Sequence, residues 1–196
     1  MTLLLGMVYQ SNAQEKGQFW VGGTLGFSSI ENDDQKVERY TIGPEFGYQF
    51  SENWGAGIRV GYTNGLIKIF SETNRKDKSN GISIEPFARY TYLRWKAFGL
   101  FVDGGLNYTN ATVKKEYASA TLNSKVTNSN YGIFLSPGFT LRLSNTISLT
   151  GSLDFFDAGY NEIKTKGSSN KTKSYSANLN SPFDLDNFTL GFNFRF

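Results

Sequence analysis

After residue 17 the sequence alternates apolar and polar positions with period two, the spacing of a strand with one apolar face. Eight such stretches follow one another. The first sets Phe19, Val21, Leu25 and Phe27 against Trp20, Gly22, Thr24 and Gly26. The second and third carry apolar faces from Tyr40 to Phe50 and from Trp54 to Tyr62, and the fourth and fifth from Ile82 to Tyr92 and from Phe98 to Tyr108. The sixth, seventh and eighth do so from Tyr131 to Leu143, Ile147 to Phe155 and Phe188 to Phe196. No charged, amide or hydroxyl-only residue interrupts these faces; a soluble sandwich would also alternate, but with shorter strands and a richly charged polar face.

The connections alternate as well. Three are tight, at Ser51-Glu52-Asn53, Arg94-Trp95-Lys96 and Ser144-Asn145-Thr146; four are longer and polar, near residues 30–38, 64–80, 110–129 and 158–183. Strands of about ten residues are long enough to cross a bilayer when tilted. The pattern therefore predicts an all-β fold, an eight-stranded antiparallel up-and-down transmembrane β-barrel with short periplasmic turns and long extracellular loops. Before it, the apolar run Leu3–Val8 and the string Ser11-Asn12-Ala13-Gln14 read as the end of a secretory signal peptide cut after Ala13. Residues 1–13 are taken as its remnant and 14–196 as the barrel domain.

The second face of each strand carries the most specific chemistry. The register points Glu45, Arg59, Glu85, Arg89, Asp103, Arg142, Asp154 and Arg195 into the lumen, four acids and four arginines. Eight strands leave room for side chains or one small ligand. Unpaired charges there would be costly, so the set is expected to form a salt-bridged network that plugs the lumen. Inward glycines, among them Gly47, Gly57 and Gly138, are expected to make room for these arginines and for inward Phe87, Phe101, Phe134 and Phe156. Trp20, Trp54 and Trp95 all fall near the short-turn end and read as an interfacial aromatic girdle. Pro44, Pro86 and Pro137 sit inside strands, where a bulge or bend is expected to accommodate each.

Composition narrows the chemistry. The 21 Gly, 17 Phe and 11 Tyr against 4 Pro suit strands and turns. Mean hydropathy is −0.38 and no run of 18 apolar residues occurs, which excludes a membrane-spanning helix but not a barrel. With no Cys and no His, disulfides, thiolate chemistry, Cys-based zinc sites and a Ser-His-Asp arrangement are out of reach. The inward carboxylates each have an arginine to neutralise them, which spoils them as general acids. No catalytic, cofactor or metal site is expected. The net charge of +3 is too small to imply nucleic acid. The long connections are modestly basic, with Lys68, Arg75, Lys76 and Lys78 in one, Lys114, Lys115 and Lys125 in the next, and Lys164, Lys166, Lys171 and Lys173 in the last.

Taken together, the eight strands, the Ser-Asn-Ala-Gln string and the ending Phe192-Asn193-Phe194-Arg195-Phe196 make residues 17–196 resemble the small outer-membrane β-barrel family of Gram-negative bacteria, in its Bacteroidetes-type form. The resemblance implies a place in the bacterial outer membrane and a terminal aromatic, Phe196, read by the barrel-assembly machinery during biogenesis. The implied partners are outer-membrane lipid and lipopolysaccharide, with the chain a monomer. The expected function is a non-enzymatic barrel with a structural, adhesive or envelope-maintenance role. The alternative is a narrow pore or small-solute transporter. A lipid-modifying barrel enzyme is disfavoured by the lack of His, and a soluble lipocalin-type barrel by the uncharged outward faces.

Overall fold

The computed structural model describes residues 16–31, 35–69, 75–116, 124–165, 171–180 and 188–196. The expected leader, residues 1–13, lies outside them. Among the described residues there are ten strand segments: β1 (Phe19–Glu31), β2 (Gln35–Gln49), β3 (Trp54–Ile69), β4 (Arg75–Trp95), β5 (Phe98–Glu116), β6 (Ser124–Arg142), β7 (Ile147–Leu153), β8 (Phe156–Thr165), β9 (Lys171–Leu179) and β10 (Phe188–Arg195). They make eight staves. The lower half of β6 pairs with β7 and its upper half with β8, so β7 and β8 are one stave; β10 pairs with β7 and β9 with β8, so β9 and β10 are another. All neighbours are antiparallel, and β1 closes the ring against β10.

Why the seventh stave breaks follows from Pro137. The β6 ladder to β8 ends at Leu135 and the ladder to β7 begins at Gly138, so Pro137, which has no N–H to give, faces the break at Asp154-Phe155. Pro44 and Pro86 behave differently from expectation. Registers on either side of them agree (Ile42↔Tyr62 and Glu45↔Arg59; Ile84↔Tyr108 and Phe87↔Gly105), so the ladder passes both without a bulge.

The strands run well past the apolar stretches. Much of the polar sequence expected to loop is ladder: Ile69 pairs with Arg75, Lys115 with Ser124 and Lys164 with Lys171. Polar side chains end the apolar face, but they do not end backbone pairing, so periodicity places the boundary too early. The break at Asp154-Phe155 also corrects one inward assignment. Phe156 lies opposite Leu135 on the lipid-facing side, and Asp157, not Phe156, faces inward beside Phe134.

The outward face is apolar across the membrane belt, from Phe98 at the turn end to Tyr108 at the other on β5. Ten residues of strand at a tilt of roughly 40° give a height of about 25 Å, the apolar band of an outer-membrane barrel. Tyrosines mark its upper edge, Tyr108, Tyr131, Tyr160 and Tyr175 following one another in ring contact around the wall (4.9, 6.5 and 5.4 Å between centroids). Trp54 and Trp95 are exposed at the lower edge, where the girdle was expected.

Closure is narrow. Among the described residues β1 pairs with β10 from Trp20 to Thr24, supplemented by reciprocal backbone bonds between Phe19 and Phe196 (3.0 and 3.2 Å). Gly22 stands in this seam, where a Cβ would come within 2.3 Å of the Phe192 carbonyl oxygen and 1.8 Å of Asn193 Oδ1. Gly22→Ala is accordingly expected to cost about 1–3 kcal/mol through overpacking. It should appear as a lower urea midpoint for the heat-modifiable folded band on gels. An unchanged midpoint would show that the seam yields without cost.

Candidate functional site

The lumen charges are placed by ladder register. Glu45 lies directly opposite Arg59, Arg59 opposite Glu85, and Arg89 opposite Asp103, so opposite charges alternate across β2, β3, β4 and β5. Cross-strand neighbours share a face at about 5 Å, close enough for these pairs to form. Arg59 Nη2 is 2.8 Å from Glu45 Oε2 and 3.4 Å from Asp103 Oδ2, and its Nη1 is 3.2 Å from Glu85. Arg89 donates through Nε and Nη2 to the two oxygens of Asp103 (2.7 and 2.8 Å), a bidentate pair, and reaches Glu45 at 3.3 Å.

Aromatic rings wall this cluster. The Arg89 guanidinium lies 4.0 Å from the Phe101 ring centroid, with Trp20 and Phe87 next nearest (5.3 and 5.4 Å). Trp20 is the main correction to the sequence reading. It is 1% exposed, and its indole Nε1–H donates to Glu45 Oε1 at 2.7 Å. Alternation itself requires this, since Trp20 follows the lipid-facing Phe19. Gly47 gives the indole its room, and Gly57 and Gly138 do the same for Phe87 and Phe101. These glycines serve the aromatics more than the arginines.

Three of the eight predicted charges lie outside the cluster. Asp154 stands above it and accepts from Ser136 Oγ at 3.3 Å. Arg195 and Arg142 lie at the turn end, with Arg94 and Lys96 around a small cavity of about 30 Å³. Arg195 there donates to Ser148 Oγ. They are separated because the carboxylates sit at mid-height while both arginines lie next to the turns.

Sequence reasoning missed the polar groups that complete the floor. Gln49 is fully buried and donates to the carbonyls of Ser51 (2.9 Å) and Glu52 (3.3 Å), while Ser148 and Asn193 are also buried. Parity would have found them, but small neutral residues carry no signal of their own. Above the floor the lumen opens into two polar cavities of about 180 and 250 Å³, both lined by Arg59, Glu85 and Asp154. Asp157 faces the upper one and accepts from Asn178 at 2.9 Å. No group of three or more potential metal ligands occurs among the described residues.

Comparison with known proteins agrees with this architecture. The family model of the outer membrane protein beta-barrel domain matches residues 1–196. Among solved structures, OprG from Pseudomonas aeruginosa is similar at 17% identity and a TM-score of 0.60, over 93% of this chain and 97% of that one. A major outer membrane protein from Thermus thermophilus is similar at 14% identity and a TM-score of 0.57, over 93% of this chain and all of the other. Such identities establish a shared fold. A search of the curated proteins finds no match.

Proposed function

Because the chain belongs to the outer membrane protein beta-barrel domain family and resides in the bacterial outer membrane, we propose that it is a non-enzymatic barrel with its lumen plugged, serving a structural, adhesive or envelope-maintenance role. The observation that carries this reading is the floor at the level of Trp20, Glu45, Arg89 and Asp103, all buried and bonded to one another across the lumen. Charges so paired resist hydration, and rings fill the space beside them, leaving no route for ions at that height. Glu45, Glu85 and Asp103 each sit in an ion pair with arginine, an arrangement that suits a plug and not a proton donor.

Planar-bilayer recording tests it. Insertion of the wild-type chain is expected to give no steady current. A Trp20→Ala/Arg89→Ala variant that still shows heat-modifiable migration is expected to conduct, and Trp20→Ala alone provides a milder breach. The alternative of a narrow pore or small-solute transporter draws on the two cavities above the floor, and a steady wild-type current would establish it in place of the plug.

A further inference from the structure

Above the tyrosine edge the outward faces of β3 to β6 carry five lysines and one carboxylate among the described residues. Lys78, Lys114 and Lys125 are direct cross-strand neighbours on three successive strands. Lys68 and Lys76 face each other in the next outward row. Like charges directly opposed in a ladder destabilise it unless something neutralises them. Among the described residues of that face, Glu116 alone answers these five lysines, bonded to Lys78 at 2.8 Å; it is held ionised, below the ordinary carboxylate range, by the hydrogen bond from Lys78. On β2, beside β3, Lys36 directly faces Lys68 and sits between Glu31 (3.0 Å) and Glu38 (3.5 Å), so its charge is balanced where that of the row is not. The excess of positive charge on these strands faces sideways along the membrane surface instead of into the lumen.

Height selects among anions. Lys114 lies six residues beyond Tyr108, and Lys78 four beyond Ile82, which is about 10–15 Å above the apolar boundary at a tilt of roughly 40°. A phospholipid headgroup layer is only about 5–8 Å deep on each side, so its phosphate lies beneath this row. A taller headgroup bearing several phosphates or carboxylates on sugars would reach it.

We propose that the Lys78–Lys114–Lys125 row, flanked by Lys68 and Lys76, is a binding surface for the polyanionic sugar headgroup of an outer-leaflet glycolipid of the lipopolysaccharide type. The tyrosine edge below holds the wall at the depth where acyl chains meet headgroup, and the lysines engage the anionic groups above. The surface does not depend on whether the lumen is closed.

The test uses the full chain in phosphatidylcholine nanodiscs, doped with lipopolysaccharide or, in a second arm, with phosphatidylglycerol at equal charge. Lipid retained by the protein after extraction into detergent is measured by native mass spectrometry. Lipopolysaccharide is expected to be retained at least tenfold better than phosphatidylglycerol. Lys78→Gln/Lys114→Gln/Lys125→Gln should weaken that retention about a hundredfold, each lysine contributing roughly the increment of a basic residue at an anionic surface. Free inorganic phosphate at millimolar concentration should not displace the lipid. Heat-modifiable migration verifies that the triple variant is folded, and Lys96→Gln, in the tight turn at the other end of the barrel, should leave retention unchanged. Equal retention of both lipids, displacement by phosphate, or a triple variant that binds as the wild type does would overturn the proposal.

Discussion

Arg89→Leu is expected to lower the unfolding free energy of the barrel by about 3–5 kcal/mol, the cost of removing one partner from a buried ion pair. Arg89 is 4% exposed and bonds both Asp103 and Glu45 while lying over the Phe101 ring. Without it, Asp103, which has no exposed surface, keeps only the longer contact to Arg59 at 3.4 Å. Arg89→Lys should recover part of the loss, because a point charge can approach Asp103 but cannot donate in parallel to both oxygens or lie flat on a ring. An Arg89→Leu/Asp103→Leu variant should lose less than the sum of its single changes, since the uncompensated carboxylate is gone. Urea unfolding of the reconstituted barrel, followed by gel mobility, measures all three. A loss below about 1 kcal/mol for Arg89→Leu would mean that water reaches Asp103 and that the floor is not dry.

The parts of this site that were legible in the sequence are those fixed by tight turns. Once the turn at Ser51–Asn53 is placed, the β2–β3 hairpin must set Glu45 opposite Arg59; in the β4–β5 hairpin the turn, which sets Trp95 opposite Phe98, would alone put Arg89 opposite Gly104, and the register shift between Thr91 and Leu93 brings it to Asp103 instead. The Arg59–Glu85 contact spans a long connection, whose register is not set by local chemistry. Asp154 and Phe156 show a different limit. Alternation continues to Phe155 as though β7 were unbroken, and the break opposite Pro137 then reverses the faces of every residue after it. The long polar connections failed for a third reason. Where a barrel leaves the membrane its outward face turns polar, while its ladders continue, so hydrophobic period marks the membrane and not the strand.

The misplacement of Trp20 has the clearest experimental signature. Composition suggested a girdle of three tryptophans at one end, yet parity sends Trp20 inward, and the inward position is tenable only because Gly47 and Gly55 supply space beside the indole. A Cβ on Gly47 would stand 2.0 Å from Trp20 Cζ2. Gly47→Val is therefore expected to drive the indole from its slot, breaking the bond to Glu45 and exposing the wall of the Arg89 cluster. The cost should be about 3–5 kcal/mol, that of deleting a buried aromatic side chain. Fluorescence separates this from a general loss of fold. In a Trp54→Phe/Trp95→Phe background Trp20 is the sole emitter, and brominated lipid acyl chains should leave it unquenched, since it faces the lumen. Trp54 and Trp95, retained singly, should each be strongly quenched from the lipid side. Adding Gly47→Val to the Trp20-only chain should shift its emission to longer wavelength and open it to acrylamide. Strong quenching of Trp20 by brominated chains would instead return it to the membrane face. Glu45 would then lack its indole donor, leaving Arg59 and Arg89 alone to neutralise it.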